Sequence, residues 1–198
     1  MLSVPEDYVV GATRHEAAHV VIAAVQGLAL RKDGLRISEH GEGLACYRGA
    51  VPRGVANVGP DPERERTIIA VYAGQIAHGR YYPPVANGDA NASDDIDLAD
   101  RLVSEMYSTL DLQLATKRKL WERSNALVTE HWEAIEGVAQ ALWSKPWLPS
   151  DIPRVPSHRE VLEKKIDGEE VVHFLKQFGI EAVLDDTERR APAQMKSA

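Results

Sequence analysis

The pattern of apolar and polar positions near the N-terminus predicts a buried helix. Residues 9–25 favour helix, and Gly27 provides a stop signal just after them. Over residues 17–25 apolar side chains occur on nearly all sides of the helix, which is typical of a helix inside a protein. The whole apolar stretch, residues 17–30, is interrupted by polar residues such as His19 and is too short to cross a bilayer. We therefore expect a core helix here.

Two short segments after this helix predict a β-hairpin. Residues 35–39 and 44–49 have the composition of strands, and a glycine-containing turn at residues 40–43 joins them. No other segment of the sequence carries a comparable β signal, because the remaining patterns are mainly helical. The expected fold class is therefore mainly α, that is, α+β with one small β-hairpin or sheet.

Helical patterns cover most of the remaining chain. Proline and acidic residues begin the helix predicted for residues 61–79, as is typical of a helix N-terminus. Residues 157–160, Ser-His-Arg-Glu, have the pattern of a capping box, which predicts that a short helix begins there. The predicted helices after the hairpin are residues 61–79, 93–107 and 112–143, a short helix from residue 157, and residues 169–178.

Three tryptophans recur every eleven residues in the long helical segment 112–143. Eleven residues are close to three full helical turns, so Trp121, Trp132 and Trp143 are expected to lie along one face. Such a row of indoles suits either a ligand platform or a packing ridge between helices. We interpret it as a packing ridge, because large aromatic side chains contribute most of their energy through burial.

Prolines divide the chain into a core and a C-terminal part. Four prolines make residues 144–156 an extended connector or insertion rather than a helix. We expect residues 1–143 to form the core and residues 157–184 to form C-terminal helices that pack on it. Residues 185–198 are mostly polar and are expected to be a disordered tail.

Composition and charge narrow the class of protein. The 198 residues are 44% hydrophobic and carry a net charge of −7, which fits one soluble globular domain. A net negative chain is poorly suited to binding phosphate backbones, so we expect no nucleic-acid partner. The single cysteine, Cys46, excludes an internal disulfide framework, and we interpret it as a small buried hydrophobe. The N-terminus lacks the basic start of a signal peptide, so we expect a cytoplasmic protein without a membrane partner.

The residues that carry chemistry lie inside the predicted core helix and form an HExxH motif, His15-Glu16-Ala17-Ala18-His19. Positions i and i+4 share one helix face, so both imidazoles can bind one metal ion. Glu16 can reach a water on that ion and act as general base. These three polar side chains are costly to bury in an apolar helix without a partner, and a cation would satisfy them. The alternative is a hydrogen-bonded pair of core histidines with a glutamate on the helix surface.

A catalytic zinc needs a third protein ligand and an open fourth position. Four aspartates cluster at the start of the helix predicted for residues 93–107. Asp95 shares a helix face with the apolar residues Leu98, Ala99, Leu102 and Met106, so it points toward the core and requires a partner there. The other three lie on the solvent side, where acids favour the first turn of a helix: Asp94, Asp97 and Asp100. We therefore choose Asp95 as the third ligand.

Five segments carry a resemblance to a known family. They are the HExxH motif, the strand pair at residues 35–38 and 43–45, Ala73-Gly74-Gln75-Ile76-Ala77, Asn91-Ala92-Ser93-Asp94-Asp95-Ile96 and Ile166-Asp167-Gly168-Glu169-Glu170-Val171. In the same order, they resemble the HEAGH motif, the following strand pair, and the GGRAAE, G-A-x-N-D-I/L and L-D-G-E-E segments of FtsH-type zinc metalloproteases. Ala18 replaces the family's glycine. The resemblance spans residues 11–175 and concerns the peptidase domain.

The resemblance implies a fold and a site. The fold is a helical FtsH-peptidase-like domain built around the HExxH helix, and residues 1–143 are its metallopeptidase core. By this resemblance we expect one catalytic Zn²⁺ held by His15, His19 and Asp95, with Glu16 as the catalytic residue. The strand containing Leu44, Ala45, Cys46 and Tyr47 binds an extended peptide substrate by adding it to a sheet edge. His78 stands where the family usually has an acid, and it is the other histidine expected to approach the metal helix.

The expected function is that of a stand-alone zinc-dependent metalloendopeptidase, a hydrolase that cleaves flexible or unfolded polypeptides. FtsH-type proteins also carry membrane helices and an AAA+ ATPase module, and this sequence contains no phosphate-binding loop of the G-x-x-x-x-G-K-[ST] type. Two alternatives stay open. The chain is either a catalytically inactive, metal-stabilised binding or regulatory module, or a peptidase subunit that works with a separate ATPase. Association with further copies of the chain is also left open.

Overall fold

A computed structural model describes residues 6–81, 90–150 and 161–185 of the chain. The fold is mainly α, as expected, with a small antiparallel sheet beside the helices. Within the described residues the helices are α1 Glu6–Val25, α2 Pro62–Tyr81, α3 Ala90–Met106, α4 Leu110–Glu130, α5 Trp132–Trp143 and α6 Gly168–Leu175, which a 3₁₀ turn at Lys176–Phe178 extends. None of the helices in these ranges combines the length and the apolar character that crossing a membrane requires.

Helix α1 is the central element of the core, in agreement with its apolar sequence. The segment from residue 17 to residue 24 is buried on all sides, because α1 packs against α2, α5 and both strands of the hairpin. Val20, Val21 and Ile22 are almost completely removed from water. Burial of apolar side chains is the main favourable contribution to folding, so this helix fixes the position of whatever polar residues it carries.

The sheet contains the predicted hairpin and two further strands. Its members are β1 Leu30–Ser38, β2 Gly43–Tyr47, β3 Leu148–Pro149 and β4 Leu162–Ile166, in the order β2-β1-β4-β3 and antiparallel throughout. In the hairpin Leu35 pairs with Ala45 and Ile37 pairs with Gly43. Strand β2 is therefore an edge strand among the described residues, where one of its two sides has no neighbouring strand.

The prediction of a short helix from residue 157 is wrong for the part of this segment that the structure describes. Residues 157–160 lie outside the described residues, and Leu162–Ile166 form strand β4 instead of a helix. This polar segment becomes a strand because it pairs with β1 along its length and because its charged residues find partners. Ser150 donates a hydrogen bond of 2.7 Å to Glu163, and Lys164 donates to the backbone carbonyls of Trp143 and Lys145.

The C-terminal part is consequently a strand followed by a helix, rather than helices alone. Helix α6 agrees with the prediction for residues 169–178, and the side chain of Asp167 caps it by accepting a hydrogen bond of 2.8 Å from the backbone N–H of Glu170. The connector predicted for residues 144–156 is described only up to residue 150, where it contributes strand β3. Its residues 151–156 and the predicted tail after residue 185 lie outside the described residues.

The long helical segment is two helices, not one. The helix is interrupted at His131, between α4 and α5, so the three tryptophans do not share one continuous face. Trp121 packs edge-on against Tyr72 with ring centroids 5.2 Å apart, and Trp132 lies under the guanidinium of Arg80. Trp143, at the end of α5, instead contacts Trp147 and Lys164. All three indoles thus pack on protein side chains.

Helix α3 begins earlier than predicted, and this changes the role of its acids. Because the helix starts at Ala90 and not at residue 93, Asp94, Asp97 and Asp100 lie beyond its first turn. The prediction that these three acids are helix-start charges is therefore wrong. Asp100 forms an ion pair of 2.7 Å with Lys117 on α4, which gives that residue a partner between helices.

Candidate metal centre

The two histidines of the HExxH motif lie side by side on the buried face of α1. His15 and His19 are only 7% and 5% exposed, and their Nε2 atoms are 2.9 Å apart. This proximity follows from helical geometry, because residues four apart in a helix occupy the same face one turn apart. The two ring nitrogens point to the same position in space.

Asp95 of α3 completes the group. Its Oδ2 lies 3.0 Å from the Nε2 atom of His15 and 3.0 Å from that of His19. Ala99, Leu102 and Met106, on the same face of α3, are buried, as the helical spacing predicts. The structure thus brings the three residues predicted as metal ligands together, and their ligand atoms form a nearly equilateral triangle.

This triangle fits a small divalent cation. The distances from zinc to histidine nitrogen and carboxylate oxygen are about 2.0–2.2 Å, and the centre of a triangle with these sides lies about 1.7 Å from each corner. One ion can therefore contact all three atoms from one side of their plane. Two imidazoles and a carboxylate are a common donor set for catalytic zinc, which keeps a further position open.

The space for an ion exists because residue 74 is a glycine. A Cβ atom at Gly74 of α2 would lie 2.8 Å from His15 Nε2 and still closer to His19 Nε2. Any side chain at this position would therefore compete with the ion or displace the imidazoles. The segment around Gly74 is one of those that resemble FtsH-type peptidases. The short distance between Gly74 and the two histidines, however, is visible only in the fold.

The orientation of His19 is set by a backbone carbonyl. His19 Nδ1 lies 2.8 Å from the carbonyl oxygen of Ala70 on α2, and a carbonyl only accepts hydrogen bonds, so Nδ1 carries the proton. Nε2 is then the nitrogen that is available to a metal. Such hydrogen bonds from the second ring nitrogen fix the tautomer and the ring plane of metal-binding histidines.

Charges inside the group are strongly coupled. Burial by itself would lower the pKa of His19, but the adjacent Asp95 carboxylate outweighs it and raises that pKa to about 9. Burial would raise the pKa of Asp95, but His19 and His15 hold it well below its usual range. The site is therefore built around a carboxylate that stays ionised, which is the form that binds a cation.

Glu16 lies next to the triangle without being part of it. The residue is 8% exposed, and burial raises the pKa of its carboxyl group, while His15 and His19 oppose that rise. Strand β2 passes directly over it, since a Cβ atom at Gly43 would overlap the Glu16 side chain. Glycine at position 43 is thus a condition for the carboxylate to occupy this place.

A cavity of about 400 Å³ opens over these four residues. Its other walls come from β2, from residues 49–51 that follow it, and from α2 and α3, with Thr67, Val71 and Leu98 among the lining side chains. The cavity gives a ligand access to both the metal triangle and the Glu16 carboxylate. Apolar walls around a few convergent polar groups are typical of ligand-binding sites.

The predicted substrate strand lies along this cavity. Leu44, Ala45 and Tyr47 line it, whereas Cys46 does not, and Cys46 is half-buried rather than fully buried. In and beside β2 the backbone groups of even-numbered residues face β1. The carbonyl of Glu42 accepts a hydrogen bond from the N–H of Ser38, and the N–H of Arg48 donates to the carbonyl of Ala29. Because strand residues alternate, the backbone groups of Gly43, Ala45 and Tyr47 face the other way, toward the free edge.

His78 does not join the metal group. Its ring lies edge-on to that of His15, with the centroids 6.2 Å apart, and it also packs near Tyr8. Among the described residues, the group whose ligand atoms lie within 4.8 Å of one another contains only His15, His19 and Asp95.

A comparison with family models finds no match to this chain, and neither does a comparison with curated proteins.

Proposed function

We propose that this protein is a zinc-dependent metalloendopeptidase that hydrolyses peptide bonds in flexible or unfolded polypeptides. The observation that carries the proposal is the triangle of His15, His19 and Asp95 with the Glu16 carboxylate beside it, in a cavity bordered by an edge strand. The resemblance of five sequence segments to FtsH-type peptidases supports the same function.

His15, His19 and Asp95 would hold the ion. A bound zinc ion polarises a carbonyl group and lowers the pKa of water, and so supplies the electrophilic part of hydrolysis. The protein's own contribution here is to keep two imidazoles and one carboxylate at fixed positions on α1 and α3, which both pack against α2. The hydrogen bond from His19 to Ala70 and the absence of a side chain at Gly74 both serve this purpose.

Glu16 is the proposed general base. Its carboxylate accepts a proton from the attacking water and later delivers that proton to the nitrogen of the departing amine. The position of Glu16 suits this role, because it faces the cavity between the metal triangle and strand β2 but does not belong to the ligand group. A carboxylate that also bound the metal could not exchange protons as freely.

Strand β2 is the proposed docking site for substrate. An extended peptide that adds to this edge would pair with the outward backbone groups of Gly43 and Tyr47 and with the carbonyl of Ala45, whose N–H already donates to the Glu16 carboxylate. Folded proteins seldom offer a free extended segment of this kind. This is why we propose flexible or unfolded polypeptides as substrates.

The decisive experiment compares zinc-loaded wild-type protein with Glu16→Gln. Cleavage of fluorescent casein and of a fluorogenic peptide library is expected to fall at least about 100-fold in the variant, because the base is lost. Zinc content is expected to stay at wild-type level, because Glu16 is not one of the ligands. Glu122→Gln is a matched control on α4, where the side chain is 70% exposed, and it should cleave normally.

The outcomes separate the proposal from its alternatives. Cleavage that a chelator abolishes and added zinc restores supports a peptidase. A zinc-loaded wild-type protein that cleaves no member of the library would overturn the proposal and favour a metal-stabilised module without catalytic activity. Cleavage that occurs only after an ATPase co-purified from cells is added would identify a subunit of a larger machine.

A further inference from the structure

Tyr47, the last residue of β2, lies in the wall of the cavity. It shares a face of the strand with Gly43, and that face points toward Glu16, because a side chain at position 43 would overlap the Glu16 carboxylate. Its ring also borders Gly49, where a Cβ atom would lie 3.3 Å from Tyr47 Cε2. Gly49 lines the same cavity, so the phenol ring is held between β2 and the segment that follows it.

The Tyr47 hydroxyl has no hydrogen-bond partner among residues 6–81, 90–150 and 161–185. Solvent still reaches this hydroxyl, because it is not among the described side-chain atoms that are fully buried without a hydrogen-bond partner. A phenol donates one hydrogen bond, and burying it unpaired is unfavourable. This hydroxyl is therefore available to a ligand that enters the cavity.

The charges around Tyr47 keep it a donor. Burial raises its pKa, and the Asp95 and Glu16 carboxylates raise it further. A neutral phenol in the same cavity as two carboxylates is suited to receive a transient negative charge by hydrogen bonding, whereas the carboxylates themselves would repel that charge.

The other polar groups in the cavity are less suited to this task. Thr67 also lines the cavity, but its hydroxyl donates to the carbonyl of Glu63 and accepts from the backbone N–H of Ala50. Asp94, Asp95 and Glu16 are acceptors when ionised. Arg31 stands at the exposed rim and has a partner of its own.

We propose that Tyr47 is a catalytic residue whose hydroxyl donates a hydrogen bond to the carbonyl oxygen of the scissile peptide bond as that oxygen becomes negatively charged. This inference rests on the proposed peptidase function. Water oxygen bonds to the carbonyl carbon while Glu16 takes a water proton, and the carbonyl π electrons move to the oxygen. The electron pair on that oxygen then re-forms the carbonyl bond as the carbon–nitrogen bond breaks, the bond's electron pair goes to the nitrogen, and Glu16 protonates that nitrogen. Tyr47 keeps its own proton throughout.

The first test is Tyr47→Phe, which removes the hydroxyl and leaves the ring in place. Loss of one such donor is expected to lower kcat about 100- to 1,000-fold on the best-cleaved library peptide, with KM changed by less than about threefold. Tyr72→Phe is a matched control, because Tyr72 packs against Trp121 and does not line this cavity, and it should change kcat less than about twofold. Zinc content and melting temperature should match wild type in both variants.

A binding measurement provides a readout that does not require turnover. A phosphinic peptide, in which a tetrahedral phosphorus group replaces the scissile amide, presents the anionic oxygen to zinc-loaded protein. Calorimetry should show a loss of affinity in Tyr47→Phe that parallels the loss of kcat. The best-cleaved library peptide stays intact in the Glu16→Gln background, so its binding can be measured there. The single variant Glu16→Gln and the double variant Glu16→Gln/Tyr47→Phe should bind it equally well, because the ground-state carbonyl carries little charge.

The results distinguish two failures. If wild type cleaves and Tyr47→Phe retains kcat within threefold, the role of Tyr47 is refuted while the peptidase survives. If wild type cleaves nothing, the peptidase fails. In that case binding of the phosphinic peptide decides the role of Tyr47. Equal binding to wild type and to Tyr47→Phe would refute that role as well. Weaker binding to Tyr47→Phe alone would show that the hydroxyl donates to an anion.

Discussion

At the scale of single residues, the site depends on two glycines as much as on its polar side chains. Gly74 leaves the room in which two imidazole nitrogens and an ion can meet, and Gly43 leaves the room for the Glu16 carboxylate. Neither residue has any chemistry of its own. Each is needed because a backbone segment passes within van der Waals distance of a functional group, and only glycine permits that approach.

Gly74→Ala tests this interpretation. The added methyl group would press against both Nε2 atoms, so zinc affinity should fall at least about tenfold, in the range seen when the shell that supports metal ligands is disturbed. Gly79→Ala, at an exposed position of the same helix with open space around it, should leave zinc affinity unchanged. Competition with a zinc-binding dye measures both. Equal zinc affinities in the two variants would contradict the inference that Gly74 leaves room for the ion.

At the scale of elements, one carboxylate helps to hold the segment between β2 and α2 in place. Glu105 of α3 accepts hydrogen bonds of 2.6 Å from the backbone N–H groups of Arg53 and Gly54, and it forms an ion pair of 2.8 Å with Arg64 of α2. The segment that it holds continues from residues 49–51, which form a wall of the cavity. A polar contact outside the site thus shapes the space above it.

This contact predicts a dependence of stability on pH. Burial would raise the pKa of Glu105, but the two N–H groups and Arg64 outweigh it and hold that pKa below 4.5, its value without these contacts. The contact therefore stabilises the fold above about pH 4.5, and its contribution is lost as pH falls through the lower, folded-state pKa. Urea unfolding of wild type and Glu105→Gln should differ most near pH 7, and the difference should shrink as pH falls into the acidic range.

Two results bear on that prediction. Glu122→Gln, on the exposed side of α4, should change the free energy of unfolding by less than about 0.5 kcal/mol at pH 7. A difference between wild type and Glu105→Gln that is constant from pH 7 to pH 3 would mean that the carboxylate's charge has no part in holding the segment.

At the scale of the whole molecule, the metal group connects distant parts of the chain. Its candidate ligands come from α1 and α3, Gly74 and Ala70 come from α2, and Glu16 lies under β2. An ion that binds this arrangement binds the folded chain much better than the unfolded one. Metal binding is therefore expected to stabilise the entire fold.

Removal of the metal should lower the melting temperature. With free zinc at about 100 times Kd, the stabilisation is about 2.7 kcal/mol, which corresponds to about 5–10 °C for a domain of this size. Differential scanning calorimetry with zinc and with a chelator measures the shift. Asp95→Ala removes one ligand and should show a much smaller shift, and a full shift in that variant would exclude Asp95 as a ligand.

Elements with local signals are predictable from the amino-acid sequence. The apolar helix α1, the hairpin and α6 follow from periodicity and turn residues, and the HExxH spacing placed both histidines on one face. The face of α3 even selected Asp95, because helical spacing tells which acid points inward. Long-range contacts, in contrast, determine that the polar segment Leu162–Ile166 is a strand, that the helix is interrupted at His131, and that α3 begins at Ala90. They also place Gly74 against the imidazoles, and Tyr47 in the wall of the cavity that Glu16 and Asp95 line. The physical reason is that strand pairing and close approaches depend on partners far away in the chain, and no local pattern records them.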